Sequence, residues 1–170
     1  MRTSPASAPL PPEEYFATRP KWLVAAGVIL HDAAGRIVLV RPTYRDDTWE
    51  IPGGGADHGE QPLQTARREL KEELGLDQPL GRLLVVDSVP EQQPRPALLN
   101  FLYDGGLLQD AGQIRLDDTE LAEWRLTGPD EWDELLVAHM ARRVHACSRA
   151  LDTGTTLDLH YGWEHDSQSS

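Results

Sequence analysis

The chain has 170 residues, room for one ordinary domain and too few for two comfortable ones. Hydrophobic residues make up 39% and there are five tryptophans, enough to bury a core, which excludes wholesale disorder. Sixteen Lys and Arg against 28 Asp and Glu leave a net charge of −12, which repels a phosphate backbone at long range and excludes a general nucleic-acid coat.

In chain order, residues 1–19 carry four prolines by Pro12 and no apolar signal core, so they read as a flexible arm and the protein is placed in the cytoplasm. The folded domain is expected over residues 20–155, with 156–170 as a tail. The longest apolar stretch, Trp22 to Leu30, is nine residues, against the roughly twenty that span a bilayer as a helix. Lys21 to His31 reads as a strand, Asp32 to Gly35 as a turn and Arg36 to Pro42 as a second strand, together a hairpin. The chain then reaches Pro52 and the run Gly53 to Gly59, a loop with four glycines. Pro62 suits a first helical turn and Gly75 the position after a helix, which predicts a helix over Pro62 to Leu74. Strand-like runs follow at Arg82 to Val89, Ala97 to Tyr103 and Glu120 to Leu126. From Pro129 onward, apolar residues from Leu135 to Leu151 recur at helical spacing and Gly154 ends the run, which predicts a second long helix. Strand-like alternation continues to Trp163.

Each residue turns a helix by about 100°, so Leu63, Ala66, Leu70 and Leu74 form a core-facing stripe on the first helix. Glu69, Glu72 and Glu73 share a separate face at i, i+3 and i+4. Such a face is either solvated or a place where divalent cations turn like-charge repulsion into coordination, since Mg²⁺ and Mn²⁺ prefer carboxylate oxygens. The glycine-rich loop directly before it favours a site, because it brings backbone carbonyls and N–H groups to the same place. A single cysteine, Cys147, excludes an intramolecular disulfide and a multi-cysteine zinc site, and it reads as a small buried hydrophobe.

The run GGADHGEQPLQTARRELKEELGL, Gly54 to Leu76, resembles the Nudix box, G-x5-E-x7-R-E-U-x-E-E-x-G-U with U aliphatic. Every fixed position is filled, by Gly54, Glu60, Arg68, Glu69, Leu70, Glu72, Glu73, Gly75 and Leu76. The resemblance implies an α/β protein, the Nudix-type α/β/α sandwich around a mixed central β-sheet. It implies hydrolysis of a nucleoside diphosphate linked to another group, with Mg²⁺ or Mn²⁺ as cofactor. The partner is then a small phosphorylated nucleotide, with no membrane and no general nucleic-acid binding, and a homodimer is left open. By the same resemblance Glu72 and Glu73 are the principal metal ligands and Glu69 is a further ligand or the general base. Arg68 holds a box glutamate in place, Gly53 offers a backbone carbonyl to metal, and Glu60 is an outer carboxylate at the helix start.

Glu120 sits where many family members add one more acid to the metals or the water, with Glu123 as the alternative register and an ordinary surface acid as the plain reading. Arg41 and Arg45 precede the box and either meet a substrate phosphate or form surface salt bridges. Trp49 and Tyr44 either stack on a base or ribose or, for Trp49, fill the core. His58 lies within the glycine loop, within reach of substrate. Pro90, 14 residues after Leu76, is close to the downstream proline that ADP-ribose hydrolases of the family carry. Nucleotide sugars such as ADP-ribose rank first as substrates, then modified nucleoside triphosphates. A catalytically silent Nudix-like binding or regulatory domain is the alternative, against which the intact box stands.

Overall fold

A computed structural model describes residues 10–164. The chain runs α1 (Pro12–Ala17), β1 (Leu23–His31), β2 (Ile37–Pro42), β3 (Gly53–Gly55), α2 (Pro62–Leu74), β4 (Leu83–Val89), β5 (Leu98–Leu107), β6 (Leu121–Thr127), α3 (Trp132–Leu135), α4 (Ala138–Thr153), β7 (Leu157–His160) and β8 (Trp163–Glu164). The strands form one sheet in the order β6-β2-β1-β5-β4-β7-β8, with β3 also paired to β1. β1 with β5 and β4 with β7 are parallel, and the remaining pairs are antiparallel, so the sheet is mixed as expected. No helix among the described residues is long and apolar enough to cross a membrane.

β1 is apolar almost without interruption because both of its faces are covered. On one side Ala66, Leu70 and Leu74 of α2 pack over Ala26, Val28, Leu30, Val38 and Val40. On the other, Val144, Cys147 and Ala150 of α4 pack over Ile29, Leu39, Leu84, Leu102 and Leu159. The result is the three-layer α/β/α sandwich. α2 begins with Pro62 at its first position and a reciprocal pair of hydrogen bonds between Gln61 and Gln64, and ends on Gly75 in the left-handed conformation at φ 68°. Its core stripe starts at Ala66, since Leu63 in the first turn stays 40% exposed.

Five expectations are corrected. The N-terminal arm contains the short helix α1, all of whose residues are exposed; residues 1–9 lie outside the described residues. The β1–β2 hairpin pairs only at His31 and Ile37. Beyond that point the Val28 N–H donates to the Pro52 carbonyl at 2.9 Å and Ala25 to Gly27 pair with Gly55 to Gly53, so β2 turns to β6 for its partner. The first three glycines of the expected loop are therefore strand β3. The second long helix is split into α3 and α4, because the Leu135 carbonyl accepts the Trp49 N–H at 3.0 Å and Leu136 and Val137 are extended. Residues 156–170 are not a separate tail throughout, since β7 pairs with β4 inside the sheet.

In the first turn of α4, His139 stacks on Tyr161 with ring centroids 4.6 Å apart. Burial pushes its imidazole down to about 4, and the neighbouring cations Arg143 and Arg142 add to this against the charge of Asp87. The folded state thus favours neutral His139 while the unfolded chain takes up a proton near the ordinary value of 6.5. Stability from this group is present above pH 6.5 and is lost as pH falls toward 4. Thermal melts of wild type and His139→Gln between pH 7 and 5 check this: the gap between the two melting temperatures should move in favour of the variant as pH drops.

Candidate active site

Glu73 and Glu69 lie one turn apart on α2 and face β3. Glu73 is 8% exposed, and its Oε2 accepts the Gly53 N–H at 2.8 Å. Glu69 lies against Gly54, where any Cβ would collide with its carboxylate. Gly53 adopts φ 148°, and a Cβ there would run into the Ala26 carbonyl. Glycine at both positions is what lets the β3 backbone close onto the two acids.

These acids share a groove of about 200 Å³ with Glu50, Glu120, Tyr44 and the backbone of Gly53 and Gly54. Burial pushes the Glu73 carboxyl up to about 8; the Gly53 N–H opposes this, and the charges of Glu69, Glu120 and Glu50 add to it. Burial likewise raises Glu69, against the pull of Arg68, and raises Glu50 against that of Arg45. The groove therefore concentrates more negative charge than its own hydrogen bonds satisfy.

Arg68 supplies the compensating cation from the opposite side. Its Nε and Nη2 donate to Glu60 at 3.0 and 3.1 Å, and Nη2 also donates to the Gly55 carbonyl at 3.0 Å. Nη1 donates to Glu69 at 2.7 Å and to Glu72 at 2.9 Å. All three guanidinium nitrogens are thereby engaged. Glu60 in turn accepts the Asp57 N–H at 3.0 Å and the Thr65 hydroxyl at 2.8 Å. Its carboxyl is held down at about 2, chiefly by the Arg68 hydrogen bonds. One side chain thus ties the loop before α2 to the acidic face of α2.

Among the described residues, no three of His, Cys, Asp and Glu already converge as a closed metal-binding cluster. The donor set nevertheless fits a hard divalent cation: Glu69, Glu73 and Glu120 border one groove with the backbone of Gly53 and Gly54, and no sulfur or imidazole does. Buried Glu73 and the acids that repel it are what such a cation would neutralise.

The three box glutamates share a helix face but not an environment. Glu72 has a side chain 58% exposed and stays beside Arg68, outside the groove that Glu69 and Glu73 line. Glu120 does line it, whereas Glu123 pairs with Arg41 at 3.1 Å. Arg41 is occupied by that pair, and Arg45 lies 3.7 Å from Glu50 at the groove and 3.6 Å from Asp47. His58 stays exposed on the loop and is not part of the groove lining. Trp49 is corrected: it is 9% exposed and packs in the core under α4, so its ring has no face to offer a base. Tyr44, 74% exposed, does border the groove. Glu50 was not foreseen; the available signal was a lone acid between two apolar residues, Trp49 and Ile51.

A family model described as a NUDIX domain matches residues 21–147. The RNA pyrophosphohydrolase of Novosphingobium aromaticivorans is 32% identical over 137 residues, covering 70% of this chain and 84% of that protein. A solved MutT protein from Methanosarcina mazei Go1 shares the fold with a TM-score of 0.66 at 18% identity, over 80% of this chain and 99% of the other. A UDP-X diphosphatase does so with a TM-score of 0.67 at 20% identity, over 90% and 77%. The three-layer fold and the box helix define a hydrolase of the pyrophosphohydrolase class. The chain belongs to the Nudix family.

The shared guanidinium makes its partners interdependent. Arg68→Met and Glu60→Gln should each lower the urea midpoint of unfolding. The double variant should lose less than the sum, since both changes break the same bonds.

Proposed function

We propose that this Nudix hydrolase uses Mg²⁺ or Mn²⁺ to cleave a diphosphate bond in a nucleoside diphosphate linked to another group. The substrate is a nucleotide sugar such as ADP-ribose or a modified nucleoside triphosphate. The observation that carries this reading is the groove in which Glu69, Glu73 and Glu120 meet the backbone of Gly53 and Gly54. Glu73, Glu69, Glu120 and the Gly53 carbonyl would hold the cation, with Glu72 reaching in from beside Arg68. Bound there, a divalent cation lowers the pKa of the attacking water and neutralises the diphosphate oxygens. The water oxygen attacks one phosphorus, the bridging P–O bond breaks, and its electron pair leaves with the departing phosphate. Glu69 or Glu120 takes the water's proton, and Arg68 keeps Glu69 oriented through its 2.7 Å hydrogen bond. The relatives named as an RNA pyrophosphohydrolase and a UDP-X diphosphatase support a diphosphate as the bond cut.

The test is release of the nucleoside monophosphate from ADP-ribose, UDP-glucose and 8-oxo-dGTP with Mg²⁺ or Mn²⁺, before and after EDTA. Glu73→Gln should lower kcat by about two orders of magnitude and Glu120→Gln by less. Unchanged turnover in EDTA would refute the metal role. Mg²⁺ should also raise the melting temperature, since a cation at about a hundred times its Kd adds roughly 2.7 kcal/mol to the folded state. An equal rise in the Glu72→Gln, Glu73→Gln double variant would place the cation elsewhere.

A further inference from the structure

Of the two edges of the sheet, β8 is two residues long and β6 is seven. β6 reads LAEWRLT and has neither the proline nor the lysine that commonly blunts an exposed edge. The hydrogen-bond phase of β2 fixes which of its backbone groups are free. The Val40 N–H donates to the Glu50 carbonyl at 2.9 Å and the Val40 carbonyl accepts the Glu50 N–H at 2.8 Å, so both Val40 groups point away from β6. Backbone direction alternates along a strand, so Leu39 and Arg41 point at β6, where they stand opposite Arg125 and Glu123. Ala122, Trp124 and Leu126 therefore turn N–H and C=O outward, and among the described residues no further strand lies beyond them. Glu123 and Arg125 share one face of β6, exposed, Glu123 beside Arg41 at 3.1 Å and Arg125 beside Glu131. Trp124 and Leu126 stand on the other face, partly buried against the core under α2.

We propose that the β6 edge binds a second copy of this chain, strand to strand and antiparallel, with a two-fold axis passing between the two Trp124 residues. In that register Trp124 meets its own copy, Glu123 meets the partner's Arg125, and Ala122 meets the partner's Leu126. The outward backbone groups then face one another, with two hydrogen bonds at each such pair. On the charged face the order across the seam is Arg41, Glu123, the partner's Arg125 and the partner's Glu131, so signs alternate, and the axis repeats the row. Other registers lose this match. Sliding the partner by two residues sets Glu123 opposite Glu123 or Arg125 opposite Arg125, and like charges directly opposite destabilise a pair. A slide of one residue sets outward backbone groups against inward ones. On the opposite face the two tryptophans meet at the axis and cover each other's exposed sides. A two-fold contact uses the same patch on both copies and closes, leaving only the two-residue β8 at either end of the joined sheet. One short strand a side is a small interface, so the dimer is transient and its population follows concentration. The proposal is independent of the catalytic reading.

Sedimentation velocity of the full chain, from low micromolar to near-millimolar concentration at about 0.15 M salt, should show a shift from one-chain to two-chain particles. Salt at that level also screens the repulsion between two chains that each carry a net charge of −12. Glu123→Arg sets arginine against arginine at both places, and Arg125→Glu sets glutamate against glutamate. Each alone should raise the dimer Kd about tenfold or more. Mixed in equal amounts, the two variants should pair again, because every contact between unlike chains is then Arg against Glu. The double variant Glu123→Arg, Arg125→Glu should dimerise by itself for the same reason. Ala122→Pro removes an outward N–H and leaves the ladder to β2 intact, so it should abolish the dimer in a chain whose circular dichroism is unchanged. Recovery in the mixture is a readout that loss of folding in either variant could not produce. A chain that stays monomeric at every concentration would overturn the proposal, as would a dimer that survives Ala122→Pro. Single variants that dimerise like wild type, or a mixture that fails to recover what each has lost, would refute the register and with it the assignment.

Discussion

The acidic end of this molecule depends on one guanidinium. Glu60, Glu69 and Glu72 all converge on Arg68, and the Gly55 carbonyl joins them. Without that cation the acidic face of α2 and the loop leading into it would repel one another, and nothing on β3 could resist, since β3 has no side chains. What positions β3 is backbone pairing with β1 from one side and α2 from the other, through Arg68 and through the Glu73 carboxylate on the Gly53 N–H. The β3 backbone is thus clamped between a strand and a helix, a rigid arrangement of its N–H and carbonyl groups.

Glu73 shows the opposite balance. It receives one backbone N–H and no cationic partner, while three other carboxylates act on it through the groove. Two glutamates on adjacent positions of a helix therefore have contrasting fates, Glu72 solvated and paired, Glu73 buried and unpaired with any cation. The difference lies in what stands opposite each, and the sheet supplies that.

This contrast also marks how far the sequence could be read. Local signals carried well: Pro62 and Gly75 bound α2 at the expected residues, and the spacing of the box acids predicted their common face. Features that depend on distant partners did not. Three glycines have no alternation from which pairing with β1 could be inferred, and the break between α3 and α4 is made by Trp49, almost ninety residues upstream of Leu135 in sequence number. Glu50 carries no motif; it becomes a neighbour of Glu73 only after β2, β3 and α2 are assembled. Trp49 could be a base-stacking ring or a core residue on composition alone, and only burial decides between them.

The sheet also acts as a partition. Its α2 face carries the box acids, while a cavity under α4 is bounded by Leu102, Met140 and Arg143 on the other face, and the two communicate only along Glu50, Gly53 and Gly54. Substitutions in α4 and β5 reach the acidic groove through those shared residues, whereas substitutions in α2 act on it directly. A change of side chain on one layer and a change on the other are therefore felt separately, except at Glu50 and the β3 glycines, where both layers register the same disturbance.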